Sequence, residues 1–188
     1  MLYLVRYTGP FAFIKPWTAV RDEICYSQQF LTPSMVAGIE RKLFPQLLQQ
    51  PWGIYKIKGH RLAYRGISEQ QEVVQARGWN VSRNRIERDR SILKRGVLLH
   101  PTLWLAFDSA DDAAVAATQH ICLARNEDLL FPQEVTEASE EEFRIDPRYS
   151  GFELVFEQNK LAFPVGYNRF NNNEMMYGWL RVVGTPVP

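Results

Sequence analysis

Two cysteines and three histidines in 188 residues leave little for metal chemistry. Cys25 and Cys122 stand far apart, and neither sits in a spacing that holds zinc or an iron–sulfur cluster. So few cysteines, so placed, fit a cytoplasmic protein with reduced thiols. No stretch approaches the roughly 18 apolar residues of a membrane helix. The start, Met1 to Arg6, lacks a basic segment followed by a long apolar run, so no secretory leader is expected. Gly-x-x-x-x-Gly-Lys is absent, and so is Gly-x-Ser-x-Gly. A phosphate-cradling loop and a serine-nucleophile elbow therefore find no support. No cofactor and no metal are expected.

What is present is apolar, aromatic and unevenly charged. Hydrophobic residues make up 46% of the chain, enough for a sizeable core and against global disorder. Five Trp and eight Tyr exceed what a minimal core needs, which leaves some for surface stacking. The net charge of +1 conceals a segregation. Residues 54–95 carry eleven Lys/Arg against four Asp/Glu, a local +7. Residues 107–158 carry thirteen acids against three arginines, a local −10. The basic block suits a phosphate backbone. The acidic block would repel one, so it should face solvent or a basic partner.

Leu2 to Tyr7 alternates and predicts a strand, broken by Thr8-Gly9-Pro10. Thr32-Pro33-Ser34 opens a helix, with Thr32 as cap and Pro33 at the first position. Val36, Ile39 and Leu43 give that helix one apolar face, and Pro45 ends it. Trp52 to Tyr64 predicts a strand with a bulge near Gly59. Residues 66–95 are polar, Arg-rich and weakly periodic, too long for a structureless loop without a function. Gly96 to Phe107 is strand-like but interrupted by His100-Pro101. Ser109 caps a second helix expected to run through Leu123. Residues 134–148 read as acidic and loop-like. Phe152–Phe156 and Met175–Val183 read as strands. The order β-α-β-arm-β-α-β is that of an α+β, ferredoxin-like fold.

Gly9-Pro10-Phe11-Ala12-Phe13, Pro16, Tyr26, Thr32-Pro33-Ser34 and Gly38-Ile39 together resemble the CRISPR-associated protein 5 family. Trp52 to Tyr64, Ile92-Leu93-Lys94 to Phe107, and Met175-Met176-Tyr177-Gly178 resemble its later strands in order. The resemblance implies one RAMP-superfamily domain over residues 1–188. Its expected form is a ferredoxin-like (RRM-like) β-α-β-β-α-β core with an inserted basic β-hairpin thumb at about 66–95. A partly irregular acidic region at about 126–150 and a short C-terminal β extension complete it. The implied function is a non-catalytic RNA-binding subunit of a Cascade-type complex that caps the 5′ handle of the crRNA. Implied partners are the crRNA, a backbone subunit of the Cas7 kind and a large effector subunit, with no membrane.

The residues expected to meet RNA are Lys15, Trp17, Tyr26, Ser34, Arg65, Arg77, Trp79, Arg83, Arg85, Arg88, Arg90, Lys94 and Arg95. The cations would neutralise phosphates, and Trp17, Tyr26 and Trp79 would stack on bases. The helix start at Ser34 and Met35 would offer backbone N–H groups to a phosphate. One branch of the family cleaves the repeat without a metal, using a Tyr at the end of the first helix and a Lys-His pair further on. Carried over, the Tyr position falls on Phe44 and the Lys position on Gln119, leaving His120 alone. The alternative of a metal-independent endoribonuclease therefore rests on His120, or on His60 among Lys56, Lys58 and Arg61. A further alternative is a structural subunit whose basic arm docks on an acidic protein. Glu140-Glu141-Glu142 reads as a solvated charge run.

Overall fold

A computed structural model describes residues 1–16, 24–123, 125–168 and 172–188, without the side chains of 75–77. In chain order the elements are β1 (Leu2–Thr8), β2 (Phe11–Ala12), β3 (Ile24–Tyr26), α1 (Pro33–Leu43), β4 (Ile57–Ala63), β5 (Gly66–Ser82), β6 (Arg85–Leu99) and β7 (Thr102–Phe107). They continue with α2 (Ala110–Ala116), β8 (Ile121–Cys122), β9 (Leu129–Ala138), α3 (Glu140–Ile145), β10 (Gly151–Val155), β11 (Phe163–Asn168) and β12 (Glu174–Val183). The class is mixed α+β, as the sequence pattern predicts, and mostly strand.

Alternation along β1 sets the layers. Val5 and Tyr7 face one side of the sheet and Leu2 and Leu4 the other, and all four are buried. The first side packs against both long helices through Val36, Ile39 and Leu43 of α1 and Ala113 and Ala116 of α2. The second side packs against α3 and the turn after it through Phe143, Tyr149, Trp104 and Ala106. The main sheet runs β11-β12-β10-β4-β7-β1-β9-β8. Its middle strands β4, β7, β1 and β9 are antiparallel neighbours, with α1 lying between β1 and β4 in sequence and α2 between β7 and β9.

Four sequence expectations change on folding. The strand expected from Trp52 begins only at Ile57. The buried Glu40 carboxylate of α1 accepts from the N–H groups of Tyr55, Lys56 and Ile57, at distances down to 2.5 Å, and so takes the donors a strand would use. The helix expected through Leu123 stops at Ala116. The buried Tyr7 hydroxyl donates to the Ala116 carbonyl at 2.7 Å, and the Thr118 hydroxyl donates to the Val115 carbonyl at 2.8 Å. Both carbonyls also accept backbone N–H groups three residues on, from Thr118 and Gln119 at 3.2 Å, so the helix tightens into a final i→i+3 turn and ends. Ile121 is then buried in a short strand instead, and Leu123 just after it.

Residues 134–148 are structured rather than loop-like, comprising the end of β9, α3 and a 3-10 turn. The acids make the helix start: Ser139 and Glu142 form a reciprocal capping box. The fully buried Arg61 of β4 pins this segment, donating to the carbonyls of Tyr149 (3.0 Å) and Arg144 (3.3 Å) and pairing with Glu153. The fourth change is β11, which the sequence pattern does not announce; it pairs with β12 from Phe163 to Asn168. The bulge expected near Gly59 is present as a register shift between Ile57 and Gly59. No helix among the described residues is long and apolar enough to cross a membrane.

Candidate nucleic-acid interface

The Arg-rich arm is a long antiparallel hairpin. β5 and β6 pair from Gly66↔Leu99 to Ser82↔Arg85, with a register shift between Gln75 and Trp79. At its foot β6 also pairs with β2 and, in parallel, with β3, which fastens the hairpin to the body.

Paired residues share a face, so the register divides the side chains into two sets. One face carries Ile86, Arg88, Ile92 and Lys94 of β6 opposite Val81, Trp79, Val73 and Gln71 of β5, with Arg90 in the same β6 alternation. Its one acid is Glu69, at the foot, which accepts from the Tyr26 hydroxyl at 2.8 Å. The opposite face carries Glu72, Glu87 and Asp89 together with Arg85 and Arg95. There each arginine has an acid: Arg85 pairs with Glu87 at 2.6 Å and Arg95 with Glu72 at 3.0 Å. Such exposed pairs add little stability, about 0–1 kcal/mol each, but they cancel charge locally.

The hairpin therefore has one basic, apolar face and one face of paired charges. On the first, the Arg88 guanidinium lies over Trp79 at 5.1 Å, and Val73, Val81, Ile86 and Ile92 are exposed beside them. Tyr26 stands at the foot of this face, half-exposed. Its ring lies against Gly96, where a Cβ would come within 2.2 Å of the ring. The hydroxyl bond to Glu69 fixes the ring's other end and pushes the phenol pKa up.

The remaining expected residues scatter. Arg83 is in the hairpin's terminal turn, and Arg65 and Lys15 are exposed in connecting segments. Ser34 is exposed in the first turn of α1, its hydroxyl 3.0 Å from that of Thr32. The Met35 N–H expected for a phosphate is already used, donating to the Thr32 carbonyl at 3.0 Å. Thr32 occupies the cap position, but its side chain makes no capping bond. Trp17 and the Arg77 side chain lie outside the described residues. Arg95 lies 5.2 Å from the Phe13 ring and Arg125 5.4 Å from it, at the hairpin's foot.

The two histidines raised for catalysis have different surroundings. His60 is buried and stacks on Phe156 at 5.5 Å. Burial, and then neighbouring Arg61, lower its pKa to about 4. The lysines near it in sequence are engaged elsewhere, Lys56 with Asp112 at 2.6 Å and Lys58 with Asp108 at 3.2 Å. His120 is exposed, 6.1 Å from the Phe131 ring. Beside it the Gln119 amide donates to the Leu43 carbonyl at 3.0 Å, and the Lys42 ammonium donates to the His120 carbonyl. Among the described residues no group of three or more His, Cys, Asp or Glu could hold a metal ion.

Sequence reasoning finds the cations and Trp79 but misses the aliphatic residues between them. The period of two in Ile86-Glu87-Arg88-Asp89-Arg90-Ser91-Ile92 carries that signal, placing acids on one face and cations with apolar groups on the other.

No family model and no curated protein matches the chain. Solved structures do. A chain of a CRISPR RNA-guided surveillance complex superimposes with a TM-score of 0.58 at 14% identity, covering 100% of this chain and 91% of that one. A chain of the type III-B Cmr-beta complex, bound to cognate target RNA and AMPPnP, gives 0.50 at 8% identity, covering 97% and 84%. A Cas protein crystal structure gives 0.46 at 15% identity, covering 100% and 98%. The first two show that this chain has a fold found in subunits of CRISPR RNA-guided complexes.

Proposed function

We propose that this protein is an RNA-binding subunit of a CRISPR effector complex, one that caps the 5′ handle of the crRNA and does not cut it. The carrying observation is the hairpin face on which Arg88, Arg90, Lys94 and Trp79 stand with no acid beyond Glu69, which is bonded to Tyr26. Cations beside stackable rings suit a splayed single strand: the cations neutralise phosphates and the rings take base faces. Val73, Val81, Ile86 and Ile92 on the same face support a protein neighbour alongside the RNA, in keeping with a thumb wedged between crRNA and a backbone subunit. We read the four-strand centre as ferredoxin-like, supported by its antiparallel order β9-β1-β7-β4 with α1 and α2 on one face. The cytoplasm is the compartment proposed.

A non-catalytic role is supported by the burial of His60 and by glutamine and phenylalanine at positions 119 and 44. One observation favours the second reading, a metal-independent endoribonuclease. The Lys42 ammonium donates to the backbone carbonyl of exposed His120, which brings a cation to the same residue as an accessible imidazole.

One titration separates the two. Purified protein and its repeat RNA are mixed in EDTA and run on paired native and denaturing gels. A shifted band with intact RNA is the expected result. Cleaved RNA, lost again in His120→Ala or Lys42→Ala, would overturn the non-cutting reading.

A further inference from the structure

The acidic half of the chain ends one side of the main sheet in an open edge. β9 pairs with β1 along its inner side from Ala138 to Phe131. On its outer side only Leu129 and Leu130 have partners, in the two-residue β8. Pro132, which has no N–H, and the register shift beside Arg6 and Tyr7 interrupt the strand after that. From Gln133 to Ala138 no strand covers the outer edge among the described residues. Alternate residues of that stretch direct a backbone N–H and C=O outward, over about 20 Å.

Sheet edges left open in a monomer are usually blunted by lysines, inward charges or a covering element. This one has Pro132 and the register shift at its start, but no lysine and no covering strand along its free stretch among the described residues. It exposes Val135, with Phe131 at its start and Ile145 of α3 beyond its end. The charge beside it is predominantly negative. Residues 129–145 hold five glutamates and one arginine. Glu134 is paired with Arg6 at 2.6 Å, and Glu142 is spent on the α3 capping box. Glu137, Glu140 and Glu141 are exposed and make no ion pair among the described residues.

The geometry points to a strand-addition site on β9 that takes an extended, basic segment of a partner protein. The open backbone supplies a ladder; Val135 and Glu137 share one face of β9, so they favour an apolar side chain and, two residues on, Lys or Arg, with Glu140 and Glu141 of α3 adding negative charge beyond the strand's end. RNA is repelled here, so this edge and the basic hairpin face would serve two different partners. A use for the −10 charge of residues 107–158 follows, one independent of whether the hairpin binds RNA.

The test uses the full chain and a capped, extended peptide with valine and lysine two residues apart, so that both lie on one face. Binding is read by fluorescence anisotropy and located by amide hydrogen exchange. The peptide is expected to bind and to slow exchange between Gln133 and Ala138. Reversing Glu137, Glu140 and Glu141 to lysine should weaken it about tenfold, since three exposed pairs are lost. The same peptide N-methylated at alternate residues keeps its charge but loses one edge's donors, and is expected not to bind. That probe requires no change in the protein. Equal binding of the methylated peptide, or protection elsewhere, would overturn the site as simple charge attraction. Self-association of the chain abolished by the charge reversal would overturn the partner assignment in favour of a second copy. RNA titrations of the same variant should be unchanged, which separates this site's failure from that of the hairpin.

Discussion

Arg88 and Trp79 stand opposite one another across the hairpin, with the guanidinium carbon 5.1 Å from the ring centroid, on the face that holds the free cations. The pairing matters because the arginines of this arm are not equivalent. Arg88, Arg90 and Lys94 share a face and have no ion-pair partner among the described residues, whereas Arg85 and Arg95 are each held by a glutamate on the other side. Replacing Arg88, Arg90 and Lys94 by Ala should lower the slope of log affinity against log salt by about 2, at about 0.7 for each phosphate left unneutralised. Arg85→Ala, which also frees Glu87, should leave the slope nearly unchanged. Binding isotherms on repeat RNA at four or more salt concentrations check this. Equal effects from both sets would mean that the two faces do not differ in function.

Tyr26 and Gly96 form a second coupled pair. The ring occupies the space where any Cβ at position 96 would lie. Gly96→Ala should therefore expel the ring and break its bond to Glu69. If the ring stacks on a base, the loss in RNA affinity should match that of Tyr26→Ala, about 1–3 kcal/mol. In the Tyr26→Ala background, Gly96→Ala should then cost almost nothing, because nothing remains to clash. A double-mutant cycle by filter binding measures the coupling, and additive losses would remove Tyr26 from the interface.

The strands and the first helix are legible in the sequence because their signals are local. Alternation marks β1, and Thr32-Pro33 with Pro45 brackets α1. The places where local pattern misleads are governed by contacts distant in sequence. Ile57 begins β4 because Glu40 of α1 holds the preceding N–H groups, and where α2 ends at Ala116 Tyr7 of β1 reaches across to its carbonyl. The acidic segment is ordered because Arg61 is buried beneath it. In the candidate interface the cations are visible from composition. The alternation along β6 already parts Arg88 and Arg90 from Glu87 and Asp89, whereas the pairing of Arg95 with Glu72 and of Arg88 with Trp79 depends on the hairpin register, which local pattern does not set while a bulge shifts it near Trp79.

Glu40 makes a strong test of this view of the fold. A buried carboxylate that accepts three backbone N–H bonds does the work of a missing strand between Tyr55 and Ile57. Glu40→Ala leaves those donors without an acceptor in a dry site. It should cost about 3 kcal/mol or more of stability, well above an average substitution. Urea unfolding of the two proteins gives the difference directly. A change under about 1 kcal/mol would show that water replaces the carboxylate without penalty.

His60 sets a pH dependence of known sign. Burial, then the charge of Arg61, lower its pKa to about 4, while a backbone hydrogen bond with Leu31 works the other way. In the unfolded chain the imidazole titrates near its ordinary value of about 6.5. Between those two values the unfolded state binds the proton and the folded state does not, so stability falls as pH falls. The contribution is fully present above about pH 6.5 and fully lost below about pH 4, a span worth about 3 kcal/mol. His60→Phe keeps an aromatic ring against Phe156 and removes the titration. Urea midpoints at several pH values between 7 and 4 should therefore fall more steeply for the native chain than for His60→Phe. Carboxylates contribute equally to both, so the difference between the curves isolates the imidazole. Parallel curves would show that the folded protein accepts the proton at His60 without penalty, and that this histidine is not held neutral by its surroundings.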